Sequence, residues 1–254
     1  MSYRIYKNSI KQKTSNALFE YVLRICKFYN PKIFRNKIFP KKWTNQKFIS
    51  KMTLLRKNKK TFSSIYKSIQ ISNELKKVPF ENNLQKIASN YLKVNEKNLS
   101  IRDIQLRMDF PNDSRNSYGW HQDNAYDEFN LNSKNGVILW IPLVDTNKDN
   151  GALVIKKGSQ YSSFNCSKRI SKGDDYNSEQ ILVKPKYLKK YRDAHIDVRK
   201  NNCLATYSGI FHKSGVNLSS HIRFTLIVRY NNQLSKDFLF YRMLKKNNSN
   251  YFEG

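Results

Sequence analysis

Near residue 100 the spacing of apolar residues along this chain changes. Before it, Ala17-Leu18-Phe19, Tyr21-Val22-Leu23 and Ile25-Cys26 recur at the interval of a helix with a broad buried face. A second helical pattern covers 67–99, carried by Ile69, Leu75, Leu84, Ile87, Tyr91 and Leu92. Beyond residue 100 the runs shorten and fill with β-branched and aromatic residues, as strands do. Val137 to Val144 is such a run, interrupted at Pro142, which cannot donate to a sheet ladder. Asn150-Gly151 signals a turn, Leu153 to Ile155 a short strand, and Ile222 to Tyr230 a longer one. The pattern predicts a mainly β protein with helices from the first hundred residues packed on one sheet face. Its antiparallel strands fit a double-stranded β-helix, the cupin-like jelly roll.

Chemistry concentrates in Gly119-Trp120-His121-Gln122-Asp123. In an extended segment, His121 and Asp123 project to one face, because side chains alternate with a period of two. A second His, His212, follows 89 residues after Asp123. Two imidazoles and one carboxylate on one face of a metal leave positions open, the arrangement of non-haem Fe(II) oxygenases. The competing reading of a bare HxD is a pair of ordinary polar residues. Eleven residues after His212, Arg223 stands in an otherwise apolar strand, where it costs free energy unless an anion meets it. That anion is a bound carboxylate or a structural Asp or Glu.

Taken in order, these segments resemble the phytanoyl-CoA dioxygenase family. The resemblance runs from about residue 100 to 232. It rests on Trp120-His121-Gln122-Asp123, Trp140-Ile141-Pro142-Leu143, Asn150-Gly151-Ala152-Leu153 ahead of Gly158-Ser159, and His212-Lys213-Ser214 with Arg223. Ile104 to Asp113 also resembles the strand that precedes the metal motif in that family. The resemblance implies an Fe(II)- and 2-oxoglutarate-dependent dioxygenase with His121, Asp123 and His212 on the iron. It implies that Arg223 grips the distal carboxylate of 2-oxoglutarate, with Ser214 assisting and Trp140 beside cosubstrate and substrate. Gln105, Arg107 and Asp109 share one face of the preceding strand, and Arg107 and Gln105 are the two expected to reach the pocket; the alternative is a charged outer face of an edge strand. Asp123 also separates this chain from related halogenases, which carry a small residue there, so hydroxylation is the implied outcome. Asp127 and Glu128, in a loop, read as solvated or substrate-facing. His195 reads as a surface residue and His221 as one at the strand entrance.

Length and composition narrow the remaining classes. The 254 residues suit a single domain: a basic helical region over 1–100, a β core over 101–232 with a polar insertion at about 165–200, and a tail over 233–254. That insertion is a candidate lid. Three cysteines without a CxxC pair favour reduced thiols and a cytoplasmic setting. No apolar run approaches the ~20 residues that span a bilayer. The net charge of +28 is uneven: residues 1–60 hold 17 Lys and Arg against one acid, Glu20. Lys37, Lys41, Lys42, Arg56, Lys57, Lys59 and Lys60 could meet an anionic membrane or substrate, or form a solvated face on buttressing helices. Leu18, Phe19, Leu23, Ile25 and Phe28 argue for buttressing, since detached tails are poor in such residues. Nucleic-acid binding has only charge in its favour. The expected partners are therefore a small-molecule substrate, 2-oxoglutarate and dioxygen. The competing class is a non-catalytic jelly-roll binding protein with a basic N-terminus.

Overall fold

The structure is a computed structural model that describes residues 2–34, 39–113, 117–127, 130, 134–162, 166–171, 179–235 and 238, with 166–171 and 179 as backbone. After a short edge strand, β1 (Arg4–Tyr6), the described residues form the helices α1 (Gln12–Tyr29), α2 (Pro31–Phe34), α3 (Gln46–Lys57), α4 (Lys59–Gln70), α5 (Asn73–Lys76) and α6 (Asn82–Leu92). The buried stripe of α1 is Leu18, Phe19, Val22 and Cys26, while Leu23 and Ile25 are partly covered and Phe28 is 76% exposed. Phe28 therefore does not share in the buttressing expected of it, because its position falls off the buried stripe. The helical pattern expected over 67–99 is broken into pieces. Ser72 accepts from Leu75 N at 3.2 Å and caps α5, and Pro79 sits in a 3-10 turn (Val78–Phe80) ahead of α6. Lys93, with φ 59°, turns the chain left-handed out of α6 and toward the sheet.

The remaining elements are β2 (Leu99–Asp109), β3 (Gly136–Pro142), β4 (Leu153–Lys156), β5 (Cys166–Ser171), β6 (Glu179–Val183), α7 (Pro185–Leu188), β7 (Asp193–Ile196), β8 (Cys203–Tyr207), β9 (His212–Lys213) and β10 (Arg223–Asn232). They form a five-stranded sheet in the order β1-β8-β3-β10-β2, a three-stranded sheet β7-β4-β9, and the pair β5-β6, all antiparallel.

Strand alternation sorts the large sheet's side chains into two layers. Met108, Leu139, Ile141, Phe224, Leu226 and Val228 face the helices and share their apolar cluster. There Trp43 and Phe48 pack on Phe224, with ring centroids 4.6 and 6.1 Å away. On the other face Ile138, Trp140, Leu204 and Ile227 meet Leu153 and Ile155 of the small sheet. Both faces of β3 are thus covered, which explains its unbroken apolar run. The architecture is the expected jelly roll with helices on one face. Arg56 departs from the expected basic surface: it is buried, pairs with Asp113 at 3.0 Å and lies over the Phe62 ring, because α3 turns it inward. Lys41, Lys42, Lys57, Lys59 and Lys60 are exposed, while Lys37 lies outside the described residues.

Candidate metal centre

His121 and His212 sit directly opposite each other in an antiparallel bridge. His121 N donates to His212 O at 2.9 Å, and His212 N donates to His121 O at 3.1 Å. Cross-strand partners point their side chains to the same face, so the two rings lie 4.0 Å apart. Each ring is oriented from behind: Nδ1 of His121 faces Gly119 O at 2.8 Å, and Nδ1 of His212 faces Ile210 O at 3.0 Å. A carbonyl only accepts, so each Nδ1 carries the proton and each Nε2 keeps its lone pair. Those Nε2 atoms lie 3.4 and 3.6 Å from Oδ1 of Asp123, which opens a 3-10 turn (Asp123–Tyr126). All three donor atoms fall within 4.8 Å of one another and are buried. Two oriented imidazoles and one carboxylate fit Fe(II) or another divalent first-row ion, leaving positions for further ligands.

Electrostatics keeps this set in ligand form. Burial alone would raise the Asp123 carboxyl, but Arg229 and the two imidazoles overcome it and hold the group well below the usual carboxylate range. Burial, then the neighbouring His121, press the His212 imidazole down to about 3 against the pull of Asp123. Near neutral pH the pair is thus an anionic carboxylate and a neutral imidazole, the forms that bind metals.

A cavity of about 240 Å³ opens in front of the three donors, lined also by Gln105, Arg107, Trp140, Ser214 and Arg223. The strand alternation expected for 105, 107 and 109 holds, and β2, although an edge strand, turns that charged face inward. Arg223 is buried, 5.8 Å above the Trp140 ring, and its Nη2 pairs with Asp109 Oδ2 at 2.8 Å. Its Nε and Nη1 meet no partner among the described residues. Arg107 donates to Asp109 Oδ1 at 2.8 Å, so one carboxylate bridges both guanidinium groups. Both readings of Arg223, a structural acid and an unmatched fork, are therefore present at once. Gly151 supports this arrangement at φ +85°, where a Cβ would come within 2.7 Å of Arg223 Nη1. Ser214 Oγ accepts from Tyr118 N at 3.2 Å and so ties β9 to the segment leading into His121.

Other residues fall elsewhere. His195 is exposed on β7, as expected. His221 lies just before β10, against Gln46 Nε2, and lines a separate cavity rather than the metal face. Asp127 is neither solvated nor substrate-facing: it is 5% exposed and accepts from Asn130 N at 3.1 Å and Asn231 Nδ2 at 2.8 Å. It is a structural acid that anchors the turn after Asp123. Glu128 lies outside the described residues. Of the insertion at 165–200, β6 packs on the segment that carries His121. Gly119 N donates to Gln180 Oε1 at 3.0 Å, and Ile181 N donates to Tyr126 Oη at 2.7 Å. The sequence reading missed Arg229, Asp103 and Arg102. Alternation was the signal for two of them, since it puts Arg229 on the face of Arg223 along β10 and Asp103 on the face of Gln105 along β2; Arg102 has the opposite parity and carried no such signal.

No curated protein matches the chain. Among solved structures, ThoJ, described as a non-heme monooxygenase, superposes at 14% identity and a TM-score of 0.56, covering 92% of this chain and 75% of ThoJ. SnoN, a non-heme alpha ketoglutarate dependent epimerase from nogalamycin biosynthesis, does so at 10% identity and 0.54, over 91% and 78%. EvdO2 from Micromonospora carbonacea var. aurantiaca gives 16% and 0.51, over 64% and 65%. The chain spans less than two thirds of EvdO2, and 63% of AviO1 from Streptomyces viridochromogenes Tue57. At these identities the likeness is one of fold. The family model for phytanoyl-CoA dioxygenase, however, matches residues 55–225, a stretch that includes His121, Asp123, His212 and Arg223. The chain therefore belongs to the phytanoyl-CoA dioxygenase family.

Proposed function

We propose that this chain is an Fe(II)- and 2-oxoglutarate-dependent dioxygenase that hydroxylates a small or conjugated metabolite, with His121, Asp123 and His212 as the metal ligands. The observation that carries this reading is the pairing of two features in one cavity. Three buried donor atoms lie within 4.8 Å of one another, and a buried Arg223 lines the same cavity with its Nε and Nη1 meeting no described residue. SnoN, on the same fold, has been described in complex with Fe3+ and alpha ketoglutarate. When bound, iron and 2-oxoglutarate together supply the oxidant: dioxygen is consumed, 2-oxoglutarate becomes succinate and carbon dioxide, and a substrate C–H becomes C–OH.

The chain's own residues bind and orient. Arg223 clamps the distal carboxylate of 2-oxoglutarate, whose charge takes the place of water at a site where a buried guanidinium is otherwise undersatisfied. Ser214 Oγ already accepts from Tyr118, so its proton is left to donate to that carboxylate. Trp140 gives a flat apolar wall under the cosubstrate. Arg107 and Gln105 face the substrate from β2, and the net charge of +28 favours an anionic one. The modest cavity suits the reacting end of a substrate rather than a bulky whole. A cytoplasmic location belongs to the same reading, supported by Cys26 and Cys203 as buried free thiols. So does a single domain, supported by the apolar cluster that helices and large sheet share.

Anaerobic titration of metal-free protein with Fe(II) and 2-oxoglutarate tests the assignment. The visible charge-transfer band of a chelated 2-oxo acid is expected, and it should vanish in His121→Ala and His212→Ala. A band of full strength in either variant would refute the ligand set. Absence of succinate formation with every candidate substrate, despite the band, would favour a non-catalytic binding protein.

A further inference from the structure

Resting on the metal-site reading above, we infer that Arg229, held by Asp103, is the positioning residue that fixes Asp123 as a ligand through one oxygen only. The three ligands are not anchored alike. His121 and His212 are locked by their mutual backbone bridge and by carbonyls behind each ring. Asp123 lies past the end of that bridge, in a 3-10 turn, and has no such strand neighbour. What holds it comes from the large sheet. Arg229 Nε donates to Asp123 Oδ2 at 2.5 Å, and Arg229 Nη1 donates to Asp103 Oδ1 at 2.7 Å.

Arg229 and Asp103 are direct partners in the β10–β2 register, so the fork is braced across two strands. The register slips just beyond them, where Tyr230 pairs with Ile101 and leaves Arg102 as the extra residue of a bulge. Bulges re-aim side chains, and the Arg102 guanidinium donates to the Asp123 and Tyr126 carbonyls at 3.0 and 3.2 Å. One arginine therefore grips the Asp123 side chain, and the other grips the backbone of its turn.

The consequence is a division of the carboxylate. Oδ2 is committed to a guanidinium, and only Oδ1 faces the imidazoles. Two-oxygen chelation by Asp123 would occupy a coordination position that the bidentate 2-oxo acid and dioxygen require.

The test uses Co(II), whose absorption reports coordination number, with Fe(II) alongside it. Arg229→Gln should weaken metal binding roughly ten- to a hundredfold, the usual cost of losing a partner of a ligand. It should also change the Co(II) band pattern, leave the 2-oxoglutarate KM near its wild-type value because Arg223 is intact, and lower kcat. Arg229→Lys, which keeps the charge but offers a single point donor, should recover part of the affinity. Loss of Arg229 leaves Asp103, whose side chain is 35% exposed, with Arg102 Nε at 3.4 Å; if Arg229→Gln fails to fold, Asp103→Asn with Arg229→Gln removes both charges of that pair and carries the same expectations. Wild-type metal affinity and an unaltered Co(II) spectrum in either folded variant would overturn the role of Arg229 alone. Failure of the wild-type protein itself to bind Co(II) or Fe(II) would instead overturn the metal-site reading on which it rests.

Discussion

Replacing Arg223 by leucine separates the two duties this side chain carries. One is the ion pair with Asp109 at 2.8 Å; the other rests on Nε and Nη1, which no described residue meets. Charge-assisted hydrogen bonds contribute about 1.5–3 kcal/mol each, so two of them to 2-oxoglutarate give roughly 3–6 kcal/mol gross. Free 2-oxoglutarate must shed water to make them, and about 2–4 kcal/mol survives. That corresponds to a loss of roughly thirtyfold to several hundredfold in cosubstrate affinity. The variant also leaves Asp109 with Arg107 as its remaining guanidinium partner at 2.8 Å, so its carboxyl rises from the lowered value the two arginines impose. Some thermal stability is therefore lost, and Arg223→Leu with Asp109→Asn controls for it. The assay is succinate formation as a function of 2-oxoglutarate at saturating Fe(II), backed by calorimetric titration of 2-oxoglutarate without oxygen. Iron affinity should change little, because Arg223 touches none of the three ligands. An unchanged 2-oxoglutarate requirement in folded Arg223→Leu would refute the clamp.

Two further outcomes follow from the same structure. His212 is held down to about 3, below its ordinary value of 6.5, so the unfolded chain takes up a proton that the folded metal-free protein refuses. The stability this neutral imidazole permits is complete above pH 6.5 and is lost at about 1.4 kcal/mol per pH unit as pH falls toward 3. Urea unfolding of metal-free protein between pH 6.5 and 5 should show that slope and His212→Asn should lack it; equal slopes would refute the burial argument. Deleting residues 1–60 removes Leu18, Phe19, Val22, Trp43, Phe48 and Met52 from the shared core, each contributing about 1.5–3 kcal/mol. Together they give about 9–18 kcal/mol, comparable to the whole stability of an ordinary domain, about 5–15 kcal/mol, so the truncated chain should be insoluble or unstable. A soluble, active truncation that had lost only liposome binding would show the region to be an anchor instead.

The elements that the sequence made legible are those whose signal is local. The apolar spacing of α1 and the β-branched runs of β3 and β10 each depend on neighbours within a few residues. His121, Asp123, His212 and Arg223 were legible because their types are rare in apolar surroundings and their order resembles a known family. The break in the 67–99 helix at Ser72 and Pro79 was also written locally, yet the apolar positions on either side continued at helical spacing and masked it. Asp127 reads as solvated because it stands beside Glu128 in a segment without helix or strand periodicity. Its partner Asn231 lies over a hundred residues away, on β10.

Arg229, Asp103 and Asp109 illustrate the harder limit. Alternation along one strand tells which residues share a face, but not which strand lies opposite or in what register. Arg229 meets Asp103 only because β10 pairs with β2, and it meets Asp123 only because the small sheet sits across the cavity. A one-residue slip in that pairing would turn every one of these charges to the helix side, where Leu226 and Val228 now pack. Burying unpaired arginines there would cost several kcal/mol each, so the charged inner face and the apolar outer face specify one register together. The ionic lattice around His121, Asp123 and His212 is in this sense part of what selects the fold, and that cluster depends on a pairing that the helices enforce from the other side of the sheet.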